Sequence, residues 1–240
     1  MAATKTRVRN ADITPPVHTD VFDLSPGSEF ALIELGFGLR SNPLFSAYLD
    51  LRTEVYTTQT GMLDLSELTY GVDIDDDDER STARLVLQNR RPHPVAVACV
   101  RQIERRRGDN RPLPADELFG LGLDGPGVEV SRYIGRLDDP AQQHLALREM
   151  LRSTIAHIRQ IGADDDVYAI VERPLERVLR IMGVGVSRIA EPVWLEEYQG
   201  VNVAIKLDPI VSAANLGGLD EIDALDVSEG AVRFWGEVGR

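Results

Sequence analysis

Apolar residues along this chain recur with two periods, and stretches of the two periods alternate. Short apolar or alternating runs are typical of β-strands, whereas apolar residues spaced three and four apart are typical of amphipathic helices. Strands are predicted at residues 30–35, 83–87, 95–103, 127–135, 166–171, 186–189 and 201–207. Helices are predicted at residues 42–58, 140–161 and 174–182. Mixed strands and helices with a central hairpin favour a three-layer α/β/α domain.

The two ends of the chain lack this patterning. Residues 1–28 are polar and contain prolines, and they are predicted to form an N-terminal arm. Residues 210–240 are acidic and weakly patterned, and they are predicted to form a C-terminal extension. The folded domain is therefore expected to span residues 29–209.

The strand predicted at residues 127–135 carries polar and charged side chains in its middle. Glu129, Ser131 and Arg132 lie among apolar residues, and burying an ionisable group is costly unless the group is paired or used. A functional site and a buried ion pair both explain this pattern. Because side chains alternate across a strand, Glu129 and Ser131 should share one face and Arg132 the other, unless the strand is irregular there.

An acidic run from Asp73 to Glu79 follows the first predicted helix. It does not match a calcium-binding EF-hand, because loop positions six and twelve hold Asp78 and Arg84 instead of Gly and Glu. Two interpretations stay open. The run is either a solvated acidic loop or a set of carboxylates that bind a cationic small molecule.

The formal charge of the 240-residue chain is −13. This argues against nucleic acid as a partner, because nucleic-acid binding is driven by basic side chains that neutralise the phosphates. Residues 84–111 nevertheless contain eight arginines against two acids, a local charge of +6. An acidic partner and a solvated arginine-rich loop both explain this stretch. No apolar run approaches the roughly 18–20 residues of a membrane span, and no secretory signal follows Met1.

The sequence excludes several common chemistries. Cys99 is the single cysteine, which rules out an intramolecular disulfide, predicts a buried core position and fits a cytoplasmic protein. The four histidines lack the spacing of metal ligands, so no metal site is predicted. Nucleophilic triads and phosphate-binding glycine motifs are also missing. Any catalysis must therefore rest on carboxylates and backbone donors, which suits acyl transfer from a thioester to an amine.

The order of these features resembles the acyl-homoserine-lactone synthases and the related N-acyl amino acid synthases, two branches of the GNAT acyltransferase fold. The resemblance spans about residues 44–190 and implies a GNAT-like three-layer α/β/α fold around a central mixed sheet. The family's Asp-x-x-Asp falls on Asp73 and Asp76, or on Asp76 and Glu79 in a second register. The other residues that match family motifs are Arg52, Tyr56, Arg101, Glu129, Ser131 and Arg132.

The resemblance implies an enzyme that forms an amide between an acyl group on acyl carrier protein and a small amine, with no bound cofactor. Glu129 is the expected catalytic base, with Ser131 and Arg132 beside it. The residues expected to bind the amine are Arg52, Tyr56, Asp73, Asp76 and Arg101. The expected amine is S-adenosylmethionine, which gives an acyl-homoserine lactone signal for quorum sensing. Met62 replaces the tryptophan that borders this amine in the family, so another amino acid is an alternative.

Residues 135–141 bear on the identity of the acyl donor, because CoA-dependent GNAT enzymes carry a glycine-rich pyrophosphate loop at this position. This segment lacks that glycine pattern and contains two adjacent aspartates, which favours acyl carrier protein over acyl-CoA. The predicted carrier-protein docking residues are Arg105, Arg106 and Arg107. Ala169 stands where producers of 3-oxo signals tend to carry threonine, so unsubstituted acyl chains are expected. Two further hypotheses are a CoA-dependent acetyltransferase and a non-catalytic GNAT-like binding module.

Overall fold

The computed structural model describes residues 28–90 and 93–237, and nine strands in this part of the chain form one mixed sheet. The order across the sheet is β6-β8-β5-β4-β3-β2-β1-β9, with β7 paired to β8. The strands are β1 Ser28–Leu35, β2 Ser81–Gln88, β3 Val95–Arg105, β4 Gly127–Gly135, β5 Val167–Glu172, β6 Gly185–Arg188, β7 Val193–Leu195, β8 Gly200–Asp208 and β9 Val232–Glu237. The predicted N-terminal arm lies outside the described residues, apart from Ser28.

Six helices accompany the sheet in the same part of the chain. They are α1 Phe45–Glu54, α2 Pro114–Phe119, α3 Pro140–Gln160, α4 Arg173–Ile181, α5 Pro209–Leu216 and α6 Leu219–Asp223. The long helix α3 begins where the Asp139 side chain accepts a hydrogen bond from the Ala141 N–H and Pro140 occupies its first turn. Neither α3 nor any shorter helix of the described residues contains an apolar stretch of the kind that spans a bilayer.

The sheet separates two apolar layers, so the predicted three-layer α/β/α architecture is confirmed. On one side, which we call the α3 face, the core includes Leu32 of β1, Val100 of β3 and Met150 of α3. On the other side, the α1 face, Leu85 of β2 packs with Tyr48 of α1. A smaller apolar cluster lies between α2 and β5 on the α1 face.

The parallel strands β4 and β5 pair over only three residues. Val128, Glu129 and Val130 of β4 align with residues 167–169 of β5, and the other strand pairs of the sheet are antiparallel. Beyond Val130, β4 continues to Gly135 beside β3 but is no longer paired with β5. We call this separation, along residues 131–135, the β4–β5 gap.

The chain after Pro209 is more ordered than its weak patterning predicts. Helices α5 and α6 pack against α3, and β9 adds to the outer edge of β1, where Trp235 stacks on Phe30 with ring centres 5.6 Å apart. The structure also contains α2 between the strands predicted at residues 95–103 and 127–135, and the short strand β7. Residues 209–237 are thus part of the packed layers and the sheet.

Candidate active site

A bulge in β4 brings the polar residues of this strand together. Arg101 of β3 faces Ser131, but Cys99 faces Ile134, so β4 holds one extra residue between these two pairs. Arg132 sits in the bulge with a φ of 54°, in the left-handed region. The irregularity turns the Arg132 side chain to the α1 face, where Glu129 and Ser131 also point, and the strict alternation expected from the sequence does not hold.

Arg52 lies at the centre of an ionic network on this face and is fully buried. Its Nε is 2.9 Å from Asp73 Oδ2, and its Nη1 is 2.7 Å from Asp78 Oδ1 and 3.2 Å from the Tyr48 hydroxyl. Arg52 extends from α1 on the α1 face of the sheet. The Tyr48 ring, one turn earlier in the same helix, packs against its guanidinium. The guanidinium therefore ties the acidic loop to α1.

Arg101 extends the network to the strand that carries the bulge. Its Nη1 donates to Asp75 Oδ1 at 2.6 Å and to Asp78 Oδ1 at 3.0 Å, while its Nε donates to Ser131 Oγ at 3.0 Å. Because Arg101 is buried and Ser131 is half-buried, the hydroxyl is held at the border between the protein interior and solvent.

Arg132 completes the network from the β4 bulge. Its Nε is 3.3 Å from Asp73 Oδ2, its Nη2 is 3.2 Å from Asp75 Oδ2, and its guanidinium lies over the Tyr56 ring at 5.1 Å. Burial opposes ionisation of both aspartates, but the neighbouring arginines outweigh it and hold the pKa of each carboxyl below its usual value. We call the six residues the arginine–aspartate network: Arg52, Arg101, Arg132, Asp73, Asp75 and Asp78.

The acidic loop presents an inward Asp-x-x-Asp pair in a register that differs from both registers expected from the sequence. Asp75 caps the short 3₁₀ turn Asp76–Arg80 and forms a reciprocal capping box with Asp78, so both side chains turn inward. Asp76 points outward, with its side chain 68% exposed and its Oδ1 3.9 Å from Arg40 Nη2. The inward Asp-x-x-Asp pair is therefore Asp75 and Asp78, which corrects the expectation that Asp76 contacts the site.

Glu129 is buried without a cationic partner. It is 1% exposed, and its Oε2 accepts the Ala115 N–H of α2 at 2.7 Å. No donor among the described residues reaches its Oε1, and no ion pair forms there, so the buried-ion-pair interpretation does not apply to this carboxyl. Burial raises the pKa of Glu129 to about 8. A carboxyl with that pKa exchanges protons near neutral pH.

Tyr198 is a site residue that the sequence did not indicate. It lies in the turn between β7 and β8, followed by Gln199 in the left-handed region. Burial raises the pKa of its phenol to about 12, while the charge of Arg132 lowers it and that of Glu129 raises it. No sequence motif marks this tyrosine, because its position depends on the turn of the β7–β8 hairpin.

Ala169 lies beside the β4–β5 gap but on the other face. It is 3% exposed, pairs with Val130 at the last paired position before the gap, and belongs to the apolar layer of the α3 face. An extended chain that entered the gap from the α1 face would meet this apolar layer. The polar cluster and the apolar interior thus adjoin at the gap.

Comparisons with known proteins identify the architecture. Neither a family model nor a curated protein sequence matches the chain. Its structure matches TofI in a ternary complex with an inhibitor and MTA, with TM-score 0.60 and 20% identity over 80% of this chain and 98% of TofI. The AHL synthase LasI matches with TM-score 0.59 and 16% identity over 80% of this chain and 96% of LasI.

A third match is the CoA-dependent acyl-homoserine lactone synthase BjaI with SAM and isopentyl-CoA. Its TM-score is 0.61 at 18% identity, over 82% of this chain and 88% of BjaI. The chain has the acyl-homoserine-lactone synthase fold. The GNAT-like fold expected from the sequence is confirmed, while identities this low leave the substrates of the chain to be argued from its own residues.

The arginines predicted to dock a carrier protein lie far from the gap of this synthase fold. Arg105 is buried, with Nη1 donating to the Leu123 carbonyl, so it cannot present its charge to a partner. Arg106 stacks on Phe37 at 3.7 Å and pairs with Glu104. Arg105 ends β3, where it pairs with Gly127 about 13 Å along the strand from the Arg101–Ser131 pair, and Arg106 follows it.

Two exposed arginines, Arg173 and Arg177, lie near the β4–β5 gap. They are on α4, which begins where β5 ends, at the gap end of the sheet.

Cys99 is buried as predicted, and burial raises its pKa to about 12. Within residues 28–90 and 93–237, no group of three histidine, cysteine or acidic side chains is arranged to hold a metal ion.

Proposed function

We propose that this protein is an N-acyltransferase that forms an amide between a thioester-bound acyl group and a small amine. The observation that carries the proposal is Glu129, a buried carboxyl with a pKa of about 8, two residues before the β4–β5 gap. The amine nitrogen attacks the thioester carbonyl, and its proton passes to Glu129. The C–N bond forms, the C–S bond breaks, and the thiolate leaves and takes up the proton.

The unpaired edge of β4 suits the other needs of this reaction. Residues 131–135 have no partner strand on the gap side, so backbone N–H groups there are available to an extended acyl donor and to the oxyanion of the tetrahedral intermediate. The bulge at Arg132 changes the direction of these groups relative to a regular strand. The acyl chain then extends past Ala169 into the apolar layer of the α3 face.

The arginine–aspartate network suits an amine that also carries a carboxylate. Three arginines and three aspartates balance one another, so the network offers a substrate both signs of charge rather than a net charge. Asp75 and Arg132 are its most accessible members, with 32% and 16% of their side chains exposed. We assign the ammonium group to Asp75 and the carboxylate to Arg132. S-adenosylmethionine carries both groups, and a plain amino acid is the alternative acceptor.

The donor is proposed to be acyl carrier protein rather than acyl-CoA. Asp139 occupies the N-terminus of α3 and uses its carboxylate to cap the Ala141 N–H, where a pyrophosphate would need that donor and a favourable charge. BjaI is described as CoA-dependent, so the fold by itself does not decide the donor. The choice for this chain rests on the aspartate cap.

Product analysis of the purified protein tests the proposed reaction. The chain is incubated with a C8 acyl carrier protein or the matching acyl-CoA, and with S-adenosylmethionine or a mixture of amino acids, and the products are identified by mass spectrometry. The expected product is an acyl-homoserine lactone made from the carrier-protein donor. After the amide forms, the carboxylate of the acylated S-adenosylmethionine attacks its γ-carbon, the lactone C–O bond forms, the C–S bond breaks and methylthioadenosine leaves. N-acyl amino acids would support the alternative acceptor. Unchanged thioester with every combination would remove the proposed function and favour a binding module.

The acyl selectivity provides a second test of the same proposal. Ala169 offers no hydroxyl at the gap, so a 3-oxo group placed there would lack a hydrogen-bond donor, at a cost of about 1–3 kcal/mol. In direct competition, unsubstituted acyl donors should therefore be consumed faster than 3-oxo donors. Ala169→Thr should narrow the difference, because it adds the hydroxyl. A wild-type preference for 3-oxo donors would contradict this assignment.

A further inference from the structure

A cavity of about 350 Å³ lies on the α3 face, on the opposite side of the sheet from the candidate active site. It is bounded by the ends of β1, β2 and β3, by the last turns of α3, and by residues 227–229 before β9. Its volume is in the range of small-molecule sites. The residues that carry the argument are Glu34, Gly36, Arg84, Glu104, Arg106 and Glu229.

Arg84 is a buried cation in the wall of this cavity. It is fully buried, its Nε is 2.9 Å from Glu34 Oε2, and its Nη1 donates to Gln102 Oε1 at 3.0 Å. Its Nη2 is also buried but has no hydrogen-bond partner. A buried guanidinium nitrogen without an acceptor is costly, so an acceptor from a ligand would stabilise it.

Two of the three acids around the cavity are already neutralised. Glu34 is paired with Arg84 and with Arg233, and it accepts the Ser153 hydroxyl. Glu104 is paired with Arg106 at 3.0 Å, and His157 lies 3.2 Å away.

The third acid, Glu229, is free and located at the exposed mouth of the cavity. It has no ion-pair partner in the described part of the chain. Its carboxyl lies directly over Gly36, in the space that a Cβ at that residue would occupy. One unused donor, Arg84 Nη2, therefore lies in the wall of the cavity, and one unused carboxylate lies at its entrance.

We infer that this cavity binds a small zwitterion, an α-amino acid or a close analogue, with its carboxylate on Arg84 and its ammonium group toward Glu229. An anion alone would meet the Glu229 charge, and a cation alone would leave the Arg84 nitrogen unsatisfied. A molecule with both groups satisfies both residues. This site is separate from the arginine–aspartate network, since β2 and β3 lie between them.

Calorimetric titration of the full chain tests the inference, with L-alanine, acetate and methylamine as probes. L-alanine should bind more tightly than either single-charge probe. Arg84→Lys keeps the charge beside Glu34 but loses the planar second nitrogen, and it should weaken alanine binding about tenfold or more. Glu229→Gln should weaken alanine binding several-fold and leave acetate binding no weaker. Gly36→Ala, which displaces the Glu229 carboxyl, should act like Glu229→Gln.

Asp75→Asn is the matched control, because an amino acid could also bind the candidate active site through Asp75 and Arg132. Alanine binding that survives Asp75→Asn but weakens in Glu229→Gln supports the inferred site. Alanine binding lost in Asp75→Asn and unchanged in Glu229→Gln would assign it to the active site and overturn the inference, as would the lack of alanine binding at millimolar concentration. If Arg84→Lys does not fold, the exposed Glu229→Gln decides.

Discussion

Arg132 occupies a backbone conformation that arginine rarely adopts. A left-handed φ costs a residue with a Cβ about 1–2 kcal/mol, so the conformation persists only where contacts offset it. Asp73, Asp75 and the Tyr56 ring supply those contacts, and all of them belong to the candidate site. The contacts that offset the strain of the bulge are therefore the same contacts that hold Arg132 in the candidate site.

Glu129→Gln should separate the catalytic role of this carboxyl from its structural one. The variant keeps an acceptor for the Ala115 N–H but cannot take a proton, so kcat should fall about 10²–10⁴-fold with little change in KM for the amine. In the wild type, activity should rise with pH toward about 8, where Glu129 ionises, and the variant should lose this dependence. Near-normal kcat in a folded variant would place the base elsewhere.

Glu129→Gln is also expected to change the folding stability in a defined direction. The pKa of Glu129 rises from 4.5 to about 8 on folding, so the folded state keeps a proton that the unfolded state loses between these pH values. Folding stability conferred at this residue therefore falls as pH increases from about 4.5 to 8. Glu129→Gln should be at least as stable as the wild type at pH 8 in urea unfolding. A strongly destabilised variant would indicate a structural role instead.

Asp75 and Asp76 form a matched pair for testing the register of the acidic loop. Asp75→Asn removes a carboxylate that contacts three arginines, and it should raise KM for the amine about tenfold or more. Asp76→Asn changes an exposed carboxylate and should leave kinetics within about twofold of the wild type. Steady-state kinetics with varied amine distinguish the two. Equal effects would contradict the inward placement of Asp75.

At the residue scale, sequence patterns located the strand and the arginines but not the whole site. Glu129 and Ser131 in an apolar strand could be recognised because burying polar groups costs free energy unless they are paired or used. The choice among neighbouring aspartates could not, because it depends on the capping box that turns Asp75 inward and leaves Asp76 in solvent. Tyr198 depends on a hairpin fold and carries no local signal.

At the scale of elements, strands with strong apolar patterns were predicted closely and weakly patterned ones were not. The strand at residues 127–135 was predicted with its observed bounds, and α3 to within one residue. The strand β9 was missed because its sequence contains Gly236 and depends on β1 for pairing. Local periodicity cannot indicate a strand that forms only against a distant edge.

Trp235→Ala tests how firmly β9 closes the sheet. The substitution removes the stack on Phe30 and opens the α3-face layer, and it should lower the free energy of unfolding by about 2–4 kcal/mol. Phe234→Ala is the neighbouring control, because Phe234 is 43% exposed and should cost less than about 1 kcal/mol. Urea unfolding measures both. Equal small losses would mean that β9 contributes little to stability.

For the whole molecule, the position of the gap changes where an acidic carrier protein should dock. A thioester must reach the β4–β5 gap, and exposed Arg173 and Arg177 stand at that end, without ion pairs among the described residues. The sequence favoured the arginine-rich stretch at 105–107 on charge alone. Charge counts along a chain carry no information about which end of a sheet the residues reach.

Two double charge reversals of equal size compare the surfaces. Arg173→Glu with Arg177→Glu should raise KM for acyl carrier protein about tenfold at low salt and flatten its salt dependence. Arg106→Glu with Arg107→Glu should leave KM within about twofold. Kinetics at low and high salt provide the measurement. The reverse result would restore the docking surface predicted from the sequence, and no effect from either pair would argue against electrostatic docking.

The pairing of β9 with β1 also has a consequence for biosynthesis. β9 is the last strand of the described sheet along the chain, yet it covers the outer edge of β1, the first of them. While the protein is being translated, β1 must wait for residues 232–237 to leave the ribosome, and its backbone N–H and C=O groups stay unpaired on that side. Open strand edges promote aggregation. The nascent chain thus presents, for most of its synthesis, the kind of surface that holdase chaperones bind.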